Sequence, residues 1–519
     1  MQNKIEIFNN QVIINYNLAY PKSREVLLKS HTFAKFVQYF IEYQETDNAN
    51  MYAYLTKNGE LNSKEASYDF CHFLRLLSIF TCEELKDEYY LSDKDATLDV
   101  IEEMYRTWRS LQRFGYMKSD NSTDFGINTL VAFDSALNDL LLRTYRLFEE
   151  KLMGRPNLVY RQVQAGTNAC FSIHTLDKVW ADEYAALQDI PMIDTVMLRT
   201  PMILHPKSSK RTGMFTEIDT QPMTYFKKGE SNWFCYPCKV GALLCFVYFN
   251  SKYMSSALSM ANLFELATKE ESAQKPDLVV IFGNDDGNDA TNFYYDEAND
   301  IWVGCISDNP RIEYFGYLKK MCLTLHNLAQ MKKGWLPIHG AFVNIYLKDG
   351  TKKGIMLMGD SGAGKSESIE ALKAAAGDMI REVEVVFDDM GTIHLEDGVP
   401  YGQGTEIGAF IRLDDLDPGT PYRDMDRSIF MAPEIDLFAY ANNYTNEFGL
   451  KKLTVQEVKD TCKLGKRMAL GTTQEVGIST TYFANPFGPM QKQELCEPII
   501  DTITRIYPEK GLICLTTIQ

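Results

Sequence analysis

Short alternations of apolar and polar residues open the chain. Ile5-Glu-Ile-Phe and Val12-Ile-Ile-Asn-Tyr carry the two-residue period of one or two strands within residues 1–20. From about residue 30 to 153 the period lengthens. Residues 66–80, 98–114 and 133–152 repeat apolar positions every three or four residues, which predicts helices. No catalytic residue types cluster there, so a helical N-terminal region is expected, serving packing, oligomer contacts or partner binding. After the turn Gly154-Arg-Pro-Asn the pattern changes to strands. Residues 196–204 and 242–249 are the clearest, and 277–282 reads as a buried strand ending at Gly283-Asn-Asp-Asp-Gly. A helix is predicted over 313–333, closed by Gly334. Residues 335–519 alternate strands and turns, with no internal repeat or low-complexity segment.

At 519 residues, two or three domains are expected. A hydrophobic share of 45% is ample for substantial cores. The net charge of −17 argues against partners that need a basic face, so neither nucleic acid nor an anionic membrane is expected. No apolar run approaches bilayer length, and the opening residues lack a charged-then-apolar leader pattern. Eleven irregularly scattered cysteines suit a reducing compartment, so a cytoplasmic location is expected. Cys235-Tyr-Pro-Cys238, near Cys245, reads as buried thiols rather than half of a metal or redox site, because no second C-x-x-C answers it.

The strongest chemical signal follows the apolar run Ile355-Met-Leu-Met358. Gly359-Asp360-Ser361-Gly362-Ala363-Gly364-Lys365-Ser366 fits the phosphate-binding pattern G-x-x-x-x-G-K-[ST] at every fixed position. Glycines let backbone N–H groups converge on phosphate oxygens, and a following helix adds its positive dipole end. Lys365 then supplies a point charge, and the Ser366 hydroxyl reaches a phosphate-bound metal. ATP and Mg²⁺ are the expected ligands. The helix is predicted over 365–376, stopped by Gly377. Residues 383–387 read as a strand ending in Asp388-Asp389, where folds of this kind hold Mg²⁺ directly or through water. His339-Gly340 is expected just before a strand at 341–347. Lys319-Lys320 on the preceding helix would ordinarily be a solvated face, and the basic loop 206–213 either a solvated loop or an anion-binding one.

Together these segments resemble the ATP-dependent phosphoenolpyruvate carboxykinases. Tyr314-Phe-Gly-Tyr-Leu-Lys319-Lys320, then His339, the glycine loop and Asp388-Asp389 follow that family's order. Downstream, residues 402–413, 471–481 and Asn485-Pro-Phe-Gly488 are similar to its later segments, so the likeness covers roughly 275–490. The resemblance implies a two-lobed α/β fold with a phosphate-loop nucleotide domain, preceded by the helical region. The chain then divides into 1–153, a substrate-side α/β domain at 154–333 and a nucleotide- and metal-binding domain at 334–519. It further implies Lys320, His339 and Asp389 as Mn²⁺ ligands, and oxaloacetate or phosphoenolpyruvate as the small-molecule substrate. The family's Phe-Thr-Gly-Arg-Ser-Pro segment is missing; Arg211 is the nearest replacement for its arginine, and Arg427 for a second one. The loop's Gly-Asp-Ser-Gly-Ala-Gly-Lys-Ser-Glu also looks like the HPr serine kinase/phosphorylase, a relative with the same nucleotide core.

Three activities stay open on these residues. A carboxykinase would use Asp389 to hold metal. A serine kinase would use Asp388 or Asp389 as proton acceptor from a hydroxyl. A third possibility is a nucleotide held without turnover.

Overall fold

The computed structural model describes residues 4–8, 10–118, 127–157, 164–177, 179–199, 202–206, 211–212, 214–358, 379–412, 428–431, 438–442, 447–451 and 512–516. The glycine loop 359–366, the helix expected after it, Arg427, and the segments 471–481 and 485–488 lie outside the described residues.

The protein is a mixed α/β structure built on a twelve-stranded mixed sheet. Its longer strands are β1 (Ile5–Phe8), β2 (Gln11–Asn15), β3 (Gln112–Lys118), β4 (Ala169–His174) and β5 (Met192–Leu198). They continue with β6 (Trp233–Val240), β7 (Leu243–Asn250), β8 (Leu278–Asn284), β9 (Thr291–Asp296) and β10 (Ile301–Ser307). The spatial order is β1-β2-β3-β4-β5-β6-β7-β8-β10-β9. β2, β4 and β8 are buried along their whole length, which is why they read as apolar runs rather than clean alternations.

Five long helices accompany the sheet: α1 (His31–Asp47), α2 (Ser63–Ile79), α3 (Lys94–Ser110), α4 (Ile127–Met153) and α5 (Gly316–Lys332). The first four share a core with the edge of the sheet, where Val12 and Ile14 of β2 meet Phe40, Phe70 and Phe148. Ile13, pointing the other way, joins the core that also receives Leu318, Met321 and Cys322 of α5. β3 pairs in parallel with β4, so the sheet runs straight across the boundary expected at 153/154.

The helix predicted over 98–114 stops at Ser110. Arg113 explains the stop: its buried guanidinium donates to the carbonyls of Trp108, Arg109 and Leu111, satisfying the acceptors that a helix end leaves open. The chain then enters β3. The single strand expected over 196–204 is also divided. β5 ends at Leu198, and Met202–Leu204 pairs instead with Ser428–Met431 in a separate three-stranded sheet. Pro201 between them carries no N–H to continue a ladder. Cys235, Cys238 and Cys245 are fully buried, as read from the sequence.

A second sheet carries the site. It consists of β11 (Leu336–Leu347), β12 (Lys352–Met358), β13 (Ile380–Glu396) and β14 (Val399–Gly404), in the order β12-β11-β13-β14. Two expectations change here. His339 lies within β11 rather than before it, and β13 does not end at Asp388-Asp389 but passes through both. α5 lies against β8 and β10 of the large sheet and against β11 of the small one, joining the two. The sequence placed α5 well: Gly334, at φ +80°, ends it in a conformation that costs glycine little.

Candidate active site

Three antiparallel strands set the level of the site. Gly340 of β11 lies opposite Met358 of β12 on one side and Asp389 of β13 on the other. The first residue of the glycine loop follows Met358, so the loop leaves β12 at the height of His339 and Asp389. Gly340 is required at this level: a Cβ there would stand 2.5 Å from the Leu357 carbonyl oxygen.

Asp389 is the hub. Its Oδ1 lies 3.1 Å from His339 Nε2, and its Oδ2 accepts from Lys319 Nζ at 2.7 Å. Lys319 Nζ also stands 3.0 Å from Glu406 Oε1. The Lys319 side chain is 5% exposed and that of Glu406 is 7% exposed, so this lysine faces the interior. Helical phase accounts for that, because Lys319 shares a face with Cys322 and His326, both buried. Glu406 sits just beyond β14 in a segment fixed on both flanks. Thr405 donates its amide and hydroxyl to the Met390 carbonyl, and the Ile407 amide donates to the Leu263 carbonyl.

Charge governs the cluster. Burial works against an ionised Asp389, but the Lys319 and Lys320 ammonium groups outweigh it and hold the carboxyl down at about 2. Burial would depress Lys319, yet Glu406 and Asp389 raise it, so it stays a cation. Lys320 is pushed the other way: burial lowers its pKa, and Lys319 and Arg211 add repulsion that Asp389 and Glu406 only partly offset. Two adjacent lysines thus take different roles. Lys319 is a fixed charge, whereas Lys320 is the more easily deprotonated amine.

The remaining predicted residues fall as follows. Arg211 lies near enough to Lys320 to act on its charge, and its guanidinium stands 4.4 Å from the centre of the Phe215 ring. Its neighbour Thr212 donates its amide to the Tyr317 hydroxyl of α5 at 3.1 Å, bringing the basic segment to the head of that helix. Asp388 is exposed and, one residue from Asp389 on a continuous strand, faces the opposite side of the sheet. Lys320, His339, Asp389 and Arg211 therefore converge, and Asp388 does not join them. Gly359, Asp360, Ser361, Gly362, Ala363, Gly364, Lys365, Ser366 and Arg427 lie outside the described residues.

Sequence reasoning missed Lys319 as a buried cation and Glu406 as its second partner. Among the described residues no group of three or more His, Cys, Asp or Glu side chains is gathered for a metal. The set at Asp389 differs in kind, because it offers an imidazole, a carboxylate oxygen and an amine of lowered basicity. That donor set fits Mn²⁺, which accepts mixed nitrogen and oxygen ligands. No helix among the described residues is long and apolar enough to cross a membrane. No protein-family model matches the chain, and no curated protein matches its sequence.

Proposed function

We propose that this chain catalyses ATP- and metal-dependent phosphoryl transfer as a phosphoenolpyruvate carboxykinase, converting oxaloacetate and ATP to phosphoenolpyruvate, ADP and CO₂. The corresponding fold is two-lobed, with the phosphate loop in the second lobe. One observation carries the reading: His339, Asp389 and the lysine pair of α5 gather at the strand level from which the glycine-loop sequence departs.

Lys320, His339 Nε2 and Asp389 Oδ1 would hold Mn²⁺, whose chemistry there is Lewis-acid polarisation of the oxaloacetate oxygens. Lys319 keeps Asp389 ionised and oriented, and Glu406 keeps Lys319 in place. Arg211 is positioned to attract a substrate carboxylate by charge. Lys365 would neutralise the transferred phosphoryl group, and Ser366 would bind the Mg²⁺ that accompanies ATP. Loss of CO₂ from oxaloacetate leaves an enolate oxygen that already carries the electron pair. It attacks the γ-phosphorus, the bond to the β,γ-bridging oxygen breaks, and ADP departs without any proton acceptor.

The same electrostatics count against a serine kinase. Such an enzyme needs a base poised near neutrality. Asp389, held at about 2, is a charge holder rather than a proton acceptor, and Asp388 faces away from the cluster. The test is a coupled assay with oxaloacetate, ATP and Mn²⁺ run beside ATP alone. Phosphoenolpyruvate formation supports the reading; ADP formation with none contradicts it.

A further inference from the structure

A second polar concavity lies along α4, away from the cluster described above. Asn138, Asp139, Leu142, Arg143 and Arg146 of that helix form it with Gln164 and Arg199, enclosing about 470 Å³. Small-molecule sites commonly have volumes of about 300–1,000 Å³. Three guanidinium groups line it directly. Two more adjoin: Arg109 Nε donates to the Gln164 carbonyl at 3.3 Å, and Arg113 Nε to the Gly166 carbonyl at 2.7 Å.

The wall is braced. Asn138 Oδ1 accepts from the amides of Ala165 and Gly166 at 2.7 and 3.1 Å, holding the turn against α4. Arg199 is ion-paired to the buried Asp134, and Arg143 to Asp139 at 2.9 Å. Burial, and next the repulsion of Arg109, push Arg113 down to about 10, which still leaves it a cation at neutral pH. Five arginines thus stand against two paired carboxylates, an excess of three positive charges, in a chain whose net charge is −17. Gathering like charges costs stability, and a multivalent anion relieves that cost. Guanidinium forks match phosphate and carboxylate geometry, which makes arginine the fitting residue for such a ligand.

We propose that this concavity is a binding site for a small multivalent anion, a phosphorylated or polycarboxylate metabolite, separate from the glycine loop. Nothing in this proposal depends on the carboxykinase reading.

The test uses inorganic pyrophosphate and citrate as probes, titrated calorimetrically into full-length Lys365→Ala protein to remove the glycine-loop lysine. The same titrations are run on Lys365→Ala carrying Arg143→Ala and Arg146→Ala. Binding of at least one probe, weakened at least about tenfold by the two arginine substitutions and by added salt, is expected. Pyrophosphate preference identifies a phosphorylated ligand, and citrate preference a polycarboxylate. Arg143 is 71% exposed, so Arg143→Gln alone serves if the combined variant fails to fold, with a smaller weakening expected. Absence of binding by both probes, or equal affinity with and without the arginines, overturns the proposal.

Discussion

Lys319 Nζ donates to Asp389 Oδ2 across 2.7 Å, joining the first turns of α5 to the middle of β13. Glu406 completes this buried triad. Removing the cation would leave two carboxylates in a dry environment with no counter-charge. Breaking a buried pair in this way typically costs about 3–5 kcal/mol. Lys319→Met should therefore lower the urea midpoint sharply, and Lys320→Met much less. Denaturation of the two variants side by side checks this, and equal losses would contradict the separate roles given to the two lysines.

Gly340 predicts a steric effect. A methyl group there meets the Leu357 carbonyl oxygen, a backbone atom that cannot rotate away. Gly340→Ala should push β11 and β12 apart and cost about 1–3 kcal/mol, as other overpacked sites do. A thermal shift measurement reads the loss, and a variant as stable as the parent would refute the close packing.

His326 gives a pH dependence. It is fully buried beside Gly241 and Gln330, and burial pushes it from 6.5 down to about 4. The unfolded chain therefore binds a proton between these values that the folded chain refuses. The sign follows: stability is complete above pH 6.5 and falls as pH drops toward 4, by up to about 3 kcal/mol at roughly 1.4 kcal/mol per unit. Asp389 contributes in a lower window, its share being lost as pH falls from 3.8 toward 2. His326→Gln should flatten the slope between pH 6.5 and 4, measured by urea titration at each pH; an unchanged slope would remove His326 as its source.

Lys365 tests the nucleotide half. Lys365→Ala should reduce ATP affinity at least about tenfold, the order expected when a charge-assisted phosphate contact is lost. Calorimetric titration with Mg-ATP checks it, and unaltered affinity would mean that the glycine loop does not hold the phosphates.

These residues also mark how far the sequence could be read. Local periodicity found β8 and α5, because an apolar run and a terminal glycine are signals carried by neighbouring residues. It misplaced the end of α3, because the stop comes from Arg113 folding back on carbonyls that a three- and four-residue pattern does not register. It gave no hint that β3 pairs with β2 and β4, since parallel pairing joins segments far apart in the chain. At the site, Asp389, His339 and Lys320 stood out by residue type and order. Lys319 could have been found from its phase with Cys322 and His326, which puts it on the buried face. Glu406 had no local mark, since its role depends on a lysine on another element.

The central claim is that one divalent ion is held by Lys320, His339 and Asp389. Electron paramagnetic resonance of free Mn²⁺, titrated into the parent and His339→Ala proteins with Mg-ATP present, measures it most directly. The account predicts one tight Mn²⁺ site in the parent, weakened at least about tenfold when the imidazole is removed, as loss of a ligand requires. Equal stoichiometry and affinity in the two proteins would contradict it.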